Sequence, residues 1–284
     1  MRISEIKALM KHYGLRPNKR LGQSFLTDPV YLQRIVQAAE IRTEEVVLEV
    51  GPGLGPLTER LLTVAGQVVA IEVDQGFIHV LQDRFRDEAN FTLHHRDILK
   101  TNIATLLQPF SQNERLSYKC VANIPYYITS SVMRHLLESE AAPNMIVLLV
   151  QKEVAQRIIA KPGKLSLLAI SVQFYGQAEI VDIVPAGAFY PAPKVDSAIL
   201  RVRPYAEKRY AVEEIDFFWQ VVKAGFRQKR KQLKNSLNAG LPRFNANQIT
   251  IALKRAKIDI KRRAQTLTID EWVTLYFSFR QLLG

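Results

Sequence analysis

Residues 46–74 read VVLEVGPGLGPLTERLLTVAGQVVAIEVD. Two short aliphatic runs, 46–50 and 68–73, flank a glycine-rich turn and a stretch with helical apolar spacing, LTERLLTVA. Strand, helix, strand in that order predicts a parallel pair joined by a crossover helix. Neither run alternates polar with apolar residues, as expected of strands covered on both faces. The same signature returns in FTLHH (91–95), KCVA (119–122) and MIVLLV (145–150), with the helix-like FIHVLQDRFRDE among them. The expected fold class is therefore α/β, a mostly parallel sheet with helices on both sides. Later, LAISVQFYGQAEIVDIV and SAILRVRP are alternating and β-rich, and read as late strands at an antiparallel edge. Between them PAGAFYPAPKVDS carries three prolines and reads as a loop.

After Pro204 the pattern changes. IDFFWQVVKAGF, ITIALKRAKI and IDEWVTLYFSFRQLL have helical spacing and no strand signal. Two domains are expected, 1–204 and a small all-helical 205–284. Of the net charge of +12, residues 205–284 carry nine units, from 16 Lys and Arg against 7 Asp and Glu. A basic surplus gathered in the last quarter points to a polyanionic partner, nucleic acid first. At 48% hydrophobic and 23% charged residues the chain has the composition of a packed globular protein. No apolar run is long enough to span a bilayer, and the N-terminus lacks a signal-peptide pattern, so no membrane partner and a cytoplasmic location are expected. Cys120, the single cysteine, excludes an intrachain disulfide and a cysteine-based zinc site, and its apolar setting reads as core. No metal is expected.

The strand ends carry the chemistry. Gly51, Gly53 and Gly55 permit a tight turn and a close ligand approach. A dinucleotide fingerprint needs glycine where Pro56 stands, and no Lys-Ser/Thr pair follows, so phosphate is not the expected ligand. Glu49 immediately before G-x-G-x-G is instead typical of sites for S-adenosylmethionine, a sulfonium cation without phosphate. Glu72 ends the next strand, where a carboxylate can accept from both ribose hydroxyls of an adenosine. Asp97 ends the third and can accept from an adenine amine. Taken singly, such an acid is more often a helix cap or a surface charge. The fourth end, NIPYYIT (123–129), offers the Asn123 oxygen and a carbonyl fixed by Pro125, two acceptors for one exocyclic amine, with the Tyr126 ring as a stacking face.

Together KRLGQSFLTD, EVGPGLGPLT, AIEVD, HRDIL, NIPYYIT, LLVQKEVAQRI and FYPAPKVDSAI resemble the ribosomal RNA adenine dimethyltransferases of the bacterial small-subunit type, almost end to end. The resemblance implies a Rossmann-like methyltransferase domain with S-adenosyl-L-methionine as cofactor, and a helical C-terminal domain. It implies dimethylation of two adjacent adenines in a hairpin near the 3′ end of 16S rRNA, on an immature small ribosomal subunit, by a monomer. Carried over by position, Gly51 touches the methionine part of the cofactor, with Gly53 beside it in the turn. Glu72 takes the ribose, Asp97 the adenine, and Asn123 lies between cofactor and amine. Leu26 and Ser24 in GQSFL match cofactor-side positions, although the family usually has Asn where Ser24 stands. Phe189 is expected to close the target base against Tyr126. In the basic region, GFRQKRKQLKNSL is expected to form a helix presenting Arg227, Lys229, Arg230, Lys231 and Lys234 to phosphate, with KRAKIDIKRRA as a second cluster and RPNKR bordering the RNA entrance. The competing readings are a large-subunit adenine methyltransferase of the macrolide-resistance type and a non-catalytic assembly factor. A DNA adenine methyltransferase fits less well, because its tetrad begins with Asp.

Overall fold

The computed structural model describes residues 1–16, 23–111 and 116–283. Helix α1 (Ile3–His12), strand β1 (Phe25–Leu26) and helix α2 (Pro29–Ala38) precede the sheet proper. Then β2 (Val46–Val50), α3 (Pro56–Leu62), β3 (Gln67–Glu72), α4 (Gln75–Arg84), β4 (Phe91–His95), α5 (Ile103–Leu107), β5 (Tyr118–Ala122), α6 (Thr129–Glu138) and β6 (Met145–Gln151) alternate strand with helix. After α7 (Lys152–Ile158) and α8 (Leu167–Gln173) come β7 (Gly176–Val184), β8 (Phe189–Tyr190) and β9 (Ser197–Pro204). Helices α9 (Ile215–Phe226), α10 (Leu233–Gly240), α11 (Ala246–Arg255) and α12 (Ile269–Arg280) complete the chain.

The main sheet has the order β4-β3-β2-β5-β6-β9-β7. Strands β2 to β6 are parallel, while β9 runs antiparallel to β6 and to β7. Strand order reverses between β2 and β5, which opens a crevice at their carboxyl ends. β2 and β5 are buried along their whole length, in keeping with their unbroken apolar runs. One face packs on α2 and α3 through Leu32, Ile35, Leu57 and Leu61. A separate cluster joins Ile6 and Met10 of α1 to Phe77, Val80 and Leu81 of α4. At the other end of the strands Lys119, 7% exposed, pairs with Glu45 at 2.7 Å.

Two compact units result, residues 1–155 with 176–206, and residues 156–175 with 207–284. The segment 156–175 is thus a departure from the sequence expectation, which placed it in the first domain and read 168–175 as strand. LLAISVQF satisfies period two and helical spacing alike, and local chemistry decides. Ser166 caps the helix by accepting from the Ala169 N–H at 3.2 Å. Helical spacing then puts Ile170 and Phe174 on one face, where both join the core of the helical unit. There Phe174 stacks on Phe218, with ring centroids 4.7 Å apart. The proline-rich loop also holds a short strand: β8 pairs with β1, setting Phe25 opposite Tyr190 and Leu26 opposite Phe189. Among the described residues no helix is long and apolar enough to cross a membrane.

Both tryptophans of the chain, Trp219 and Trp272, lie in the core of the helical unit with Ile170. Truncating Ile170 to Ala should cost roughly 2–5 kcal/mol and lower the urea midpoint followed by tryptophan fluorescence. An unchanged midpoint would detach 156–175 from that unit.

Candidate active site

Four strand ends converge on one cavity of about 370 Å³. Its lining includes Ser24, Leu26, Gly51, Gly53, Glu72, Asp97, Asn123, Pro125 and Tyr126, each expected from the sequence. The glycine turn follows β2 with Gly51, Gly53 and Gly55 all in the left-handed region, at φ 66°, 59° and 82°. A side chain at Gly53 would be strained there and would bring Cβ to 3.2 Å from the Phe25 ring. What fixes the turn is Glu72: the Gly53 N–H donates to its Oε2 at 3.0 Å. Oε1 accepts from the N–H groups of Val73 at 2.8 Å and Asp74 at 2.9 Å. Burial raises the Glu72 pKa, and these three amides oppose the rise.

Glu49, at the end of β2, is 1% exposed and accepts from the Thr58 hydroxyl at 2.7 Å. Burial pushes its pKa up to about 8; the Thr58 bond opposes the shift and the Glu72 charge adds to it. Asp97 does two things. It caps the turn at 98–100 by accepting from the Leu99 N–H at 3.0 Å, and it still lines the cavity. Besides the buried, protonated Glu49, the acids of the lining are Glu72, Asp74 and Asp97, against one cation, Arg96. Such a lining suits a cationic ligand.

In the fourth segment the Asn123 side-chain amide donates, at a long 3.4 Å, to the Ser24 carbonyl. The Asn123 oxygen has no hydrogen-bond partner among the described residues. The contact uses the backbone of Ser24, so serine in place of the family's usual asparagine does not remove it. Of the two nearby carbonyls, that of Pro125 accepts from the Ile128 N–H at 3.2 Å. The Ile124 carbonyl, on the residue before Pro125, has no hydrogen-bond partner among the described residues. Tyr126 is anchored through its hydroxyl, 2.8 Å from Ser197 Oγ at the start of β9. This bond ties the FYPAPKVDS stretch to NIPYYIT.

Phe189 does not line the cavity, contrary to the sequence expectation. Its ring is 3% exposed and packs in the core with Leu26 and Ala188, because β8 pairs with β1 and turns it inward. The expected basic helix is also corrected. Arg227, Lys229, Arg230 and Lys231 lie in a turn between α9 and α10, and of the five only Lys234 is on a helix. RQKRKQ contains no apolar residue, so nothing there can hold a helical turn against a core. Arg227 donates to the Ala239 carbonyl at 2.9 Å and so serves the fold. Residues 17–20 of RPNKR lie outside the described residues. Several lining residues went unassigned in the sequence, among them Asp74, Phe77, Arg96 and Tyr127. Tyr127 stands at the cavity with 64% exposure, and its only signal was the second tyrosine of NIPYY.

The raised Glu49 pKa has a measurable sign. The folded state keeps a proton on Glu49 that the unfolded state releases near the ordinary glutamate value of about 4.5. Stability should therefore fall as pH rises from about 4.5 to about 8, by up to about 1.4 kcal/mol per unit, and level off above. Glu49→Gln should remove this loss, gaining on the unsubstituted protein across that window in urea titrations. An equal stability difference at both ends of the window would mean that Glu49 is ionised in the folded protein.

Residues 14–281 match the family model described as ribosomal RNA adenine dimethylase. The chain is 45% identical over 274 residues to ribosomal RNA small subunit methyltransferase A of Dehalococcoides mccartyi strain 195, covering 96% of this chain and 92% of that one. Its identity to the protein of that name from Streptococcus pneumoniae strain D39 is 42% over 282 residues, with 97% of each chain covered. Among solved structures, a dimethyladenosine transferase from Plasmodium falciparum superposes with a TM-score of 0.75 at 26% identity, over 90% of this chain and 98% of that one. The 23S rRNA methyltransferase ErmE gives 0.69 at 27% identity, over 90% and 100%. A Rossmann-like methyltransferase sheet with its motifs gathered at four strand ends, and relatives matched nearly end to end, place the chain in the ribosomal RNA adenine dimethylase family.

Proposed function

We propose that this protein is a 16S rRNA adenine dimethyltransferase that uses S-adenosyl-L-methionine. Its substrate is the pair of adjacent adenines in the hairpin near the 3′ end of 16S rRNA, met in the cytoplasm on an immature small subunit by a monomer of this chain. The carrying observation is the placement of Glu72, Asp97 and Asn123 around one acidic cavity beside the glycine turn. Identities of 42–45% to proteins named small subunit methyltransferase A support the small-subunit substrate over the large-subunit alternative. The shape and charge fit the cofactor: about 370 Å³ lies within the range of small-molecule sites, and the acidic lining favours a sulfonium over a phosphate.

When bound, the cofactor supplies an electrophilic methyl group. The protein's part is to hold and aim. The Asn123 oxygen and the Ile124 carbonyl accept the two hydrogens of the adenine amine and turn its lone pair toward the methyl position. Both acceptors gain strength as the nitrogen becomes positive, so they favour the transition state over the bound substrate. Tyr126, fixed by Ser197, gives the base a rigid face. No described side chain is needed as a strong base, since the amine loses its proton after positive charge has formed.

Asn123→Ala should slow single-turnover methyl transfer by about 10²-fold, with little change in affinity for the subunit. Tyr126→Ala should instead weaken capture of the base by roughly 1–3 kcal/mol. Phe189→Ala removes core packing and should lower stability by roughly 3–5 kcal/mol. Mass mapping of 16S rRNA, from particles of a strain lacking the activity and incubated with the protein and cofactor, should find two adjacent dimethyladenines. Methylation confined to 23S rRNA, or none at all, would contradict the assignment.

A further inference from the structure

Arginines of both units are paired with acids, Arg262 and Arg280 of the helical unit among them. In the sheet unit arginines are largely consumed by acids: Arg34 by Asp182, Arg84 by Glu59, Arg86 by Asp83, Arg201 and Arg203 by Glu40. In the helical unit three loops carry exposed cations that no described group engages. The first is the turn 161–164, KPGK, with Lys161 and Lys164. The second is 229–231, with Lys229, Arg230 and Lys231. The third is 257–263, with Lys257, Lys261 and Arg263.

Backbone hydrogen bonds join these loops. The N–H groups of Gly163 and Leu165 donate to the Gln265 carbonyl at 2.8 and 3.2 Å. The Leu233 N–H donates to the Arg262 carbonyl at 2.7 Å. The segment 262–265 therefore links the KPGK turn, through Gln265, to the first residue of α10, through Arg262. Acids of the same segments are largely occupied: Asp259 accepts from the Lys261 N–H at 2.9 Å, and Glu271 pairs with Arg262. Asp270 is the remaining one. The KPGK turn is also preset. The Lys164 N–H closes on the Lys161 carbonyl at 3.0 Å, and Gly163 sits at φ +103°, a conformation L side chains rarely adopt. The two lysines thus stand on a main-chain turn that is already closed, so a ligand has only their side chains to order.

We propose that the KPGK turn is a phosphate-binding element of the helical unit. With turns 229–231 and 257–263 it forms a three-loop cradle for the sugar–phosphate backbone of RNA. The inference deepens the functional reading above and rests on it. Sequence order hides the element, because residues 161–164 precede β7 and β9 of the sheet unit. An anionic membrane is the poorer partner: none of the exposed large hydrophobic residues lies on these loops. Phosphate contacts of this kind set position and register and leave base choice to the cavity.

The test compares the full-length protein with Lys161→Gln/Lys164→Gln and with Lys229→Gln/Arg230→Gln/Lys231→Gln, in filter binding to small-subunit particles across a salt series. Each lost phosphate contact lowers the slope of log affinity against log salt by about 0.7–0.9. The double variant should lose about 1.4–1.8 from that slope, while its cofactor affinity and its tryptophan-detected urea midpoint stay unchanged. An unchanged slope in the double variant, with a reduced slope in the triple, overturns the cradle and leaves the enzyme assignment standing. Failure of the unsubstituted protein to bind particles overturns both. Binding to phosphatidylserine vesicles that depends on Lys161 and Lys164, without any effect on RNA binding, assigns the turn to lipid and overturns the proposal.

Discussion

The Glu72 carboxylate is the constraint on which the site depends. A buried charge is costly unless it is hydrogen-bonded, and here three backbone amides supply the bonds. One comes from the glycine turn after β2, and two come from the residues after Glu72 itself. The same three bonds close the turn, orient the end of β3 and keep a negative charge at the cavity wall. A carboxylate offers about four acceptor positions, so most are already filled. One position on Oε2 remains open, where the proposed function puts a ribose hydroxyl, while Oε1 already takes the Val73 and Asp74 amides. This refines the simpler expectation of one carboxylate freely serving both hydroxyls.

Around that anchor, pairs of motifs far apart in sequence become neighbours. Strand β1 of GQSFL pairs with β8 of FYPAPK. Ser197 holds the Tyr126 hydroxyl, and the Ser24 carbonyl takes the Asn123 amide. In the last two links a late or an early segment steadies a residue of NIPY. The geometry of the proposed methyl-accepting centre is thus set by supports that do not themselves meet the substrate. Phe189 belongs with those supports, as core beneath β1.

The fold was largely legible because the inner strands of a parallel sheet are buried on both faces and their runs are nearly all apolar; VVLEV coincides with β2 and MIVLLV falls within β6. Glycines at forced backbone angles and acids at strand ends marked the cavity for the same local reasons. What failed was what depends on distant contacts. LLAISVQF fits either period, and its burial against α9 in the helical unit cannot be seen in its own residues. RQKRK looked helical by continuity with its neighbours, yet it has no apolar face to pack. Phe189 looked like a ligand-facing aromatic until its pairing with Leu26 turned it inward. Tyr127 lacked any pattern separating it from Tyr126.

The most direct test of the account is calorimetric titration of S-adenosylmethionine into Glu72→Gln. The substitution keeps the shape but turns one acceptor into a donor facing amides that also donate. Loss of a charge-assisted hydrogen-bond partner, roughly 1.5–3 kcal/mol, should weaken the cofactor by at least about tenfold, with particle binding retained in a folded protein. Unchanged cofactor affinity in the folded variant would contradict the central role given to Glu72.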